Sequence, residues 1–294
     1  MSIALIIADR DSSGLRDLLQ AYLPEVHIQQ WPDLPNPETV KLAVLWQHPA
    51  GITRQFPHLK AVTSLGAGMD HIHADEAITD SVQQLRIMTR SLQQRMAQYV
   101  LAYVLQDWRN LKRYQKQQQD HQWQVLETDA SPTVGFLGLG ALGGFVADNC
   151  NALGFRTVAW TRQQKHAIHS CYHGPEGLKK VCENSDYLVV LLPLNKTTEG
   201  IINKQTLGYC QPHCMLINVG RGGHVKDVDL TESLANKTIR HAVLDVFNEE
   251  PLADNHPFWD NPNITLTPHI SARSDDQHTA EEIVAYYRAL SRSS

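Results

Sequence analysis

The chain has 294 residues, 42% of them hydrophobic and 19% charged, and a formal net charge of -5. That length and apolar content suit two domains with substantial cores and exclude intrinsic disorder. The acidic balance supplies no basic stripe, so neither nucleic acid nor an anionic membrane surface is an expected partner.

The N-terminus, MSIALIIADR, has no basic leader and its apolar run stops at Asp9, which reads as a buried strand. The longest apolar run, Tyr187 to Leu194, is too short to span a bilayer. Five cysteines (Cys150, Cys171, Cys182, Cys210, Cys214) show no CxxC spacing and are odd in number. This predicts free thiols in a reducing, cytoplasmic compartment. Cys210, His213 and Cys214 lack the second ligand pair a zinc site needs, so no metal is expected.

Short β-branched and apolar runs alternate with helical patterns along the chain, the rhythm of βαβ units and parallel sheets. Strands are expected at Ile3–Ala8, Val26–Gln30, Leu42–Trp46, Ala61–Ser64 and Arg86–Met88. A helix is expected to start after Asp11 or Ser12, either of which can cap it. The three prolines between Trp31 and Pro37 make that stretch a loop. From Gln94 to Gln119, apolar residues at spacings of three and four predict one long helix with a polar far end, suited to joining two domains. A second series follows, with strands at Thr133–Leu137, Arg156–Trp160, Tyr187–Leu192, Met215–Val219, Ile239–Val243 and Ile264–Thr267. Helices are expected near Leu142–Leu153, Glu176–Cys182, Val228–Asn236 and Asp276–Leu290. The fold class that results is α/β, with two doubly wound parallel-sheet domains.

The run Gly138-Leu139-Gly140-Ala141-Leu142-Gly143 follows an apolar strand and opens an amphipathic helix. In that context GxGxxG is a dinucleotide fingerprint. Gly138 permits the tight turn, Gly140 lets a pyrophosphate approach the backbone, and Gly143 lets the helix pack on the strand. Ala141 and Leu142 begin the helix, whose N-terminal N–H groups face the phosphates. At the end of the next strand an NAD site normally carries a carboxylate for the ribose hydroxyls. Here Thr161 stands at that point and Arg162 follows, with Lys165 near by. With no carboxylate to repel a 2′-phosphate and an arginine to bind it, NADPH is the preferred cofactor and NAD remains possible.

Arg221, Asp245 with Glu250, and His269 each lie just past a strand of the same unit. In an open parallel sheet ligands bind outside the carboxyl ends of the strands, so these side chains are expected to converge beside the nucleotide. The glycine loop, LLPLNKTT, INVGRGG, LDVFNEEPL and TPHI together, in order, resemble the D-isomer specific 2-hydroxyacid dehydrogenases over nearly the whole chain. Trp46, the Ser64-Leu65-Gly66-Ala67-Gly68-Met69-Asp70 loop, and Met96 with Tyr99 resemble the glyoxylate/hydroxypyruvate reductase A branch. The chain departs from the family in carrying Gly220 where Ala is common. It also departs in the stretch Thr89–Arg95, where Arg90 reads as a solvated charge.

The resemblance implies roles. Arg221 would bind the substrate carboxylate and polarise the 2-oxo group, and His269 would protonate the nascent alkoxide. Glu250 would hydrogen-bond His269 and favour its charged form, and Asp245 would hold the nicotinamide carboxamide. Leu192, Pro193, Val219 and Gly220 would line the cofactor site. Gly66, Ala67 and Gly68 would offer N–H groups to the substrate carboxylate, and Trp46 would wall the pocket. The chemistry asks for these types in its own right. Charge grows on the carbonyl oxygen as hydride arrives, and a cation and a proton donor aimed there stabilise it.

The resemblance further implies a discontinuous substrate domain (1–100 and 270–294), a cofactor domain (101–269), a cleft between them, and a homodimer through the cofactor domain. The expected reaction is reduction of a small 2-oxo acid, glyoxylate or hydroxypyruvate first, to the D-2-hydroxy acid. Two rivals stand beside it: an NAD-linked enzyme for a larger acid, and a nucleotide-sensing protein without catalysis.

Overall fold

The computed structural model describes residues 2–127, 131–162 and 170–292. The chain divides into two compact units, one reaching Leu92 and resuming at Arg273, the other running from Gln93 to Ala272. The first division falls inside a continuous helix, and no break in periodicity marks it.

The first unit holds β1 (Ser2–Ile7), α1 (Ser13–Tyr22), β2 (His27–Gln30), β3 (Val40–Trp46), β4 (Ala61–Ser64), α2 (Asp70–His73) and β5 (Gln83–Arg86). The helix α3 (Arg90–Trp108) starts in this unit and crosses the division. The second unit continues with α4 (Leu111–Gln119), β6 (Thr133–Leu137), α5 (Ala141–Ala152), β7 (Arg156–Trp160), β8 (Ser170–Tyr172), α6 (Gly174–Glu183), β9 (Tyr187–Val190), α7 (Lys204–Leu207), β10 (Met215–Asn218), α8 (Asp227–Ala235), β11 (His241–Leu244) and β12 (Ile264–Leu266). The chain returns to the first unit for α9 (Asp276–Arg292).

The first unit is a five-stranded parallel sheet of order β2-β1-β3-β4-β5. Residues Ser2 to Ile7 are buried throughout, the continuous apolar reading expected of a central parallel strand covered on both faces. Leu15 and Leu19 of α1 and Ala280, Ile283 and Val284 of α9 cover one face, while Phe56, Ile72 and Ile78 cover the other.

The second unit is a seven-stranded parallel sheet of order β12-β11-β10-β9-β6-β7-β8. Strand order reverses between β6 and β9, which makes a topological switch point at their carboxyl ends. At the opposite ends, Arg240 forks onto both carboxylate oxygens of Asp107 at 2.6 Å each, and the Tyr187 hydroxyl donates to the same group at 2.7 Å. Those bonds tie α3 to β9 and β11.

Several elements differ from the sequence reading. The helix expected over 94–119 is two helices, because Asn110 takes a left-handed φ of 54° between α3 and α4. The edge strands β5 and β8 were misplaced and missed. Gln83–Arg86 is mostly exposed and Ser170–Tyr172 is only three residues long, so neither carries an apolar signal. The proline loop contains a short 3-10 turn at Pro37–Thr39.

Candidate active site

The glycine loop follows β6 at the switch point of the second sheet. Gly138 has a φ of 103°, and a β-carbon there would stand 2.7 Å from the Leu191 carbonyl, so the loop after β6 is pressed against the one after β9. A β-carbon on Gly143 would stand 2.2 Å from the Gly138 carbonyl. One on Gly140 would meet nothing within 4 Å. Gly140 thus borders open space at the start of α5, where Ala141 and Leu142 present N–H groups with no helical acceptor and no side-chain cap. This cradle fits a pyrophosphate. Thr161, at the end of β7, is buried and its N–H donates to the Tyr172 carbonyl. Arg162 beside it is exposed, and Lys165 lies outside the described residues. Leu192 is half-buried and Pro193 exposed after β9, while Val219 and Gly220 are buried after β10.

Arg221 is fixed through its own backbone. Its carbonyl accepts from the Asn218 side chain at 2.9 Å, its N–H donates to His224 Nδ1 at 3.1 Å, and its guanidinium reaches the Gly220 carbonyl at 2.8 Å. A β-carbon on Gly220 would lie 3.0 Å from the His224 ring, so a larger residue there would crowd that ring. At Gly222 a β-carbon would overlap the Phe247 carbonyl, so the loop carrying Arg221 packs directly on the loop carrying Glu250. Asn218 and His224, both fully buried, were not singled out in the sequence. They sit three residues either side of Arg221, and that spacing was their only signal.

His269 Nδ1 lies 2.8 Å from Glu250 Oε2, and Glu250 Oε1 accepts the Phe247 N–H at 2.9 Å. Partial burial pushes the Glu250 carboxyl up. The His269 hydrogen bond, the Phe247 N–H and the positive charges of His269 and Arg221 outweigh it, and the group sits below its ordinary value. Both side chains stay about one-third exposed, at 36% and 34%. His269 itself takes a left-handed φ of 52°, rare for a residue with a β-carbon.

Asp245 explains how that conformation holds. Its side chain is fully buried; Oδ1 accepts from the Thr267 hydroxyl at 2.5 Å and the Ile270 N–H at 2.9 Å, and Oδ2 from the Ser271 N–H at 2.7 Å. The His269 N–H donates to the Asp245 carbonyl at 2.9 Å. The carboxylate is therefore committed to shaping the turn, a duty the sequence reading, which gave it only to the carboxamide, did not include. Tyr99 on α3 extends the chain with a 2.5 Å hydrogen bond to Thr267, and burial raises its hydroxyl well above the usual range.

In the first unit the loop after β4 is braced at three points. The Gly66 N–H donates to Ser64 Oγ at 3.2 Å, the Leu65 carbonyl accepts from Ser274 Oγ at 2.8 Å, and the Ala67 carbonyl accepts from Arg86 Nε at 2.7 Å. Gly66 thus has its N–H occupied, whereas those of Ala67 and Gly68 make no hydrogen bond among the described residues. Trp46 lies against this loop, since a β-carbon on Gly66 would stand 2.9 Å from its ring.

Residues 101–271 match the family model described as D-isomer specific 2-hydroxyacid dehydrogenase, NAD binding domain. A glyoxylate/hydroxypyruvate reductase A of Yersinia enterocolitica is 34% identical over 92% of this chain and 89% of its own length. One from Serratia proteamaculans is 34% identical over the same shares. Among solved structures, a D-isomer specific 2-hydroxyacid dehydrogenase from Xanthobacter autotrophicus, in complex with NADPH and MES, superposes with a TM-score of 0.92 at 31% identity. It covers 99% of this chain and 95% of that one. An NADPH-dependent glyoxylate/hydroxypyruvate reductase from Sinorhizobium meliloti, in complex with NADP and sulfate, gives 0.87 at 29% identity over 98% and 96%. The chain belongs to the D-isomer specific 2-hydroxyacid dehydrogenase family and is an NAD(P)-dependent oxidoreductase.

Proposed function

We propose that this dehydrogenase reduces a small 2-oxo acid, of the glyoxylate or hydroxypyruvate kind, to the D-2-hydroxy acid with NADPH. The observation that carries the reading is the His269–Glu250 pair at 2.8 Å, with Arg221 close enough to help hold Glu250 ionised. The reductases of Yersinia and Serratia support the substrate class.

The glycine loop would hold the cofactor, which when bound would supply the hydride for the carbonyl carbon. The Arg221 guanidinium binds the substrate carboxylate and faces the oxygen on which charge builds. His269 Nε2 donates the proton to that oxygen. Glu250 accepts from Nδ1–H, which orients the ring and balances its charge. Gly138, Gly140, Ala141, Leu142 and Gly143 cradle the pyrophosphate. Leu192, Pro193, Val219 and Gly220 line the cofactor site, and Asp245 sits at its edge while shaping the His269 turn. Thr161 and Arg162 replace the carboxylate of an NAD site and favour the 2′-phosphate. The first unit acts as the substrate domain: Ala67 and Gly68 offer N–H groups to the substrate carboxylate, Gly66 lets the loop pass under Trp46, and Trp46 limits substrate size.

The working form is a cytoplasmic homodimer. Its five cysteines are all free thiols, which suits a reducing compartment. Leu111 and Tyr114 of α4, and Trp123 and Val125 after it, are exposed, Trp123 at 99%, which a second copy would cover. No described helix is long and apolar enough to cross a membrane.

Initial rates with NADPH and with NADH, over a panel of 2-oxo acids, test the reading. It predicts fastest turnover on glyoxylate or hydroxypyruvate with NADPH. Tight NADPH binding with no turnover on any member would establish a sensor instead.

A further inference from the structure

The sheet of the first unit has its own switch point. Strand order reverses between β1 and β3, and Asp9 follows the first of these while Trp46 ends the second. Ile7 is paired with Trp46 in register, and the Ala8 N–H donates to the Trp46 carbonyl. Ligands of open parallel sheets gather where order reverses. At this point the Trp46 indole N–H donates to Asp9 Oδ2 at 3.1 Å. Arg10 grips the same carboxylate through two nitrogens, at 3.0 and 2.8 Å, and its guanidinium carbon lies 5.5 Å from the Trp46 ring centroid. The His71 ring stands edge-on to the indole at 5.5 Å, and the far edge of the indole rests on Gly66. An exposed ion pair contributes little to stability by itself. This one has a further consequence, because it fixes the acceptor that sets the rotation of an aromatic ring lying on the loop with the two open N–H groups.

We propose that Asp9 is a specificity-determining positioning residue: it locks the Trp46 indole by its N–H, and the locked ring rejects 2-oxo acids with bulky groups beyond the carbonyl carbon. This rests on the reductase reading above. A freed indole can swing aside and admit a branched chain, whereas glyoxylate, which has only hydrogen there, is indifferent to the ring.

The test compares kcat/KM for 4-methyl-2-oxopentanoate with that for glyoxylate in wild type, Asp9→Leu and Asp9→Asn. The asparagine keeps an oxygen acceptor for the indole. In Asp9→Leu the ratio is expected to rise about tenfold, the scale of one charge-assisted hydrogen bond or one to two methylenes of pocket discrimination, through a lower KM for the larger acid. Asp9→Asn is expected to stay near wild type. In a Trp46→Phe background, which has no N–H to lock, Asp9→Leu is expected to add nothing further. Should Asp9→Leu fail to fold, Asp9→Ala makes the same comparison. An unchanged ratio in the leucine or alanine variant, an asparagine variant that shifts as far, or additive effects with Trp46→Phe would overturn the assignment. Wild-type protein inactive on glyoxylate and hydroxypyruvate overturns the reductase reading itself, a separate outcome read before any variant is made.

Discussion

The imidazole Nδ1 of His269 and Oε2 of Glu250 lie 2.8 Å apart, and the other oxygen of that carboxylate is held by the Phe247 N–H. One carboxylate thus fixes both the tautomer and the tilt of the ring, and in the proposed function leaves Nε2 for the substrate. Glu250→Gln keeps the shape but loses the charge. It is expected to lower kcat for 2-oxo acid reduction by about 10²-fold, within the usual range for general acid–base assistance, with little change in NADPH affinity. Steady-state kinetics and a cofactor titration measure both.

The same pair sets an acid limit. Glu250 sits below its ordinary carboxyl value, so it stays ionised to lower pH than an ordinary glutamate does. Any stability it contributes is present above its unfolded pKa and lost only as pH falls through the lowered folded one. The acid limb of kcat attributable to Glu250 is therefore expected below pH 4.5, the ordinary glutamate value. A limb from this group above that value would contradict the geometry.

Asn218 and His224 hold the Arg221 backbone, and the guanidinium donates to the Gly220 carbonyl. Arg221→Lys keeps the charge but loses the bidentate geometry. The expected result is a KM for the 2-oxo acid raised about tenfold or more, with kcat also reduced, since the loss of a positioned charge-assisted bond is of order 1.5–3 kcal/mol. Cofactor binding should barely move.

The proposed function makes cofactor choice depend on the end of β7. Arg162→Glu restores a carboxylate near the ribose and removes the cation. The ratio of kcat/KM with NADPH to that with NADH is expected to fall by about 10²-fold, the scale of exchanging attraction for like-charge repulsion at a phosphate. An unchanged ratio would move the phosphate contact elsewhere.

His241, at the opposite end of the sheet from the reacting groups, gives a pH dependence of stability alone. Burial, with help from Lys112 and Arg240, lowers it from 6.5 to about 4. Between those values the unfolded chain binds a proton that the folded chain does not, so stability falls as pH drops from 6.5 toward 4 and levels off below. His241→Gln should flatten that part of a chemical-denaturation series and leave kcat at neutral pH unchanged.

How much of this was written in the sequence depends on where the information sits. The glycine loop, Arg221, Glu250 and His269 were legible as candidates because each follows a buried apolar strand, and strand ends in a parallel sheet are where ligands bind. The edge strands β5 and β8 were not, being exposed or short, and their pairing comes from neighbours rather than from their own residues. The break at Asn110 was hidden by apolar spacing that continues past it. The partners that hold the reacting groups are a different case. Asn218, His224 and Thr267 act through hydrogen bonds to groups that only the folded backbone brings beside them, and their sequence positions alone do not show those partners. Asp245 was found, yet its three hydrogen bonds to the His269 turn become visible only once the backbone is folded.

The central claim is that His269 is the acid of a 2-oxo acid reductase, and the most direct test is turnover by His269→Ala with NADPH and glyoxylate, alongside its affinity for NADPH. The account predicts a loss of kcat of at least about 10²-fold with NADPH binding changed by no more than a few-fold. Turnover equal to wild type, with protein that still binds the nucleotide, would contradict it.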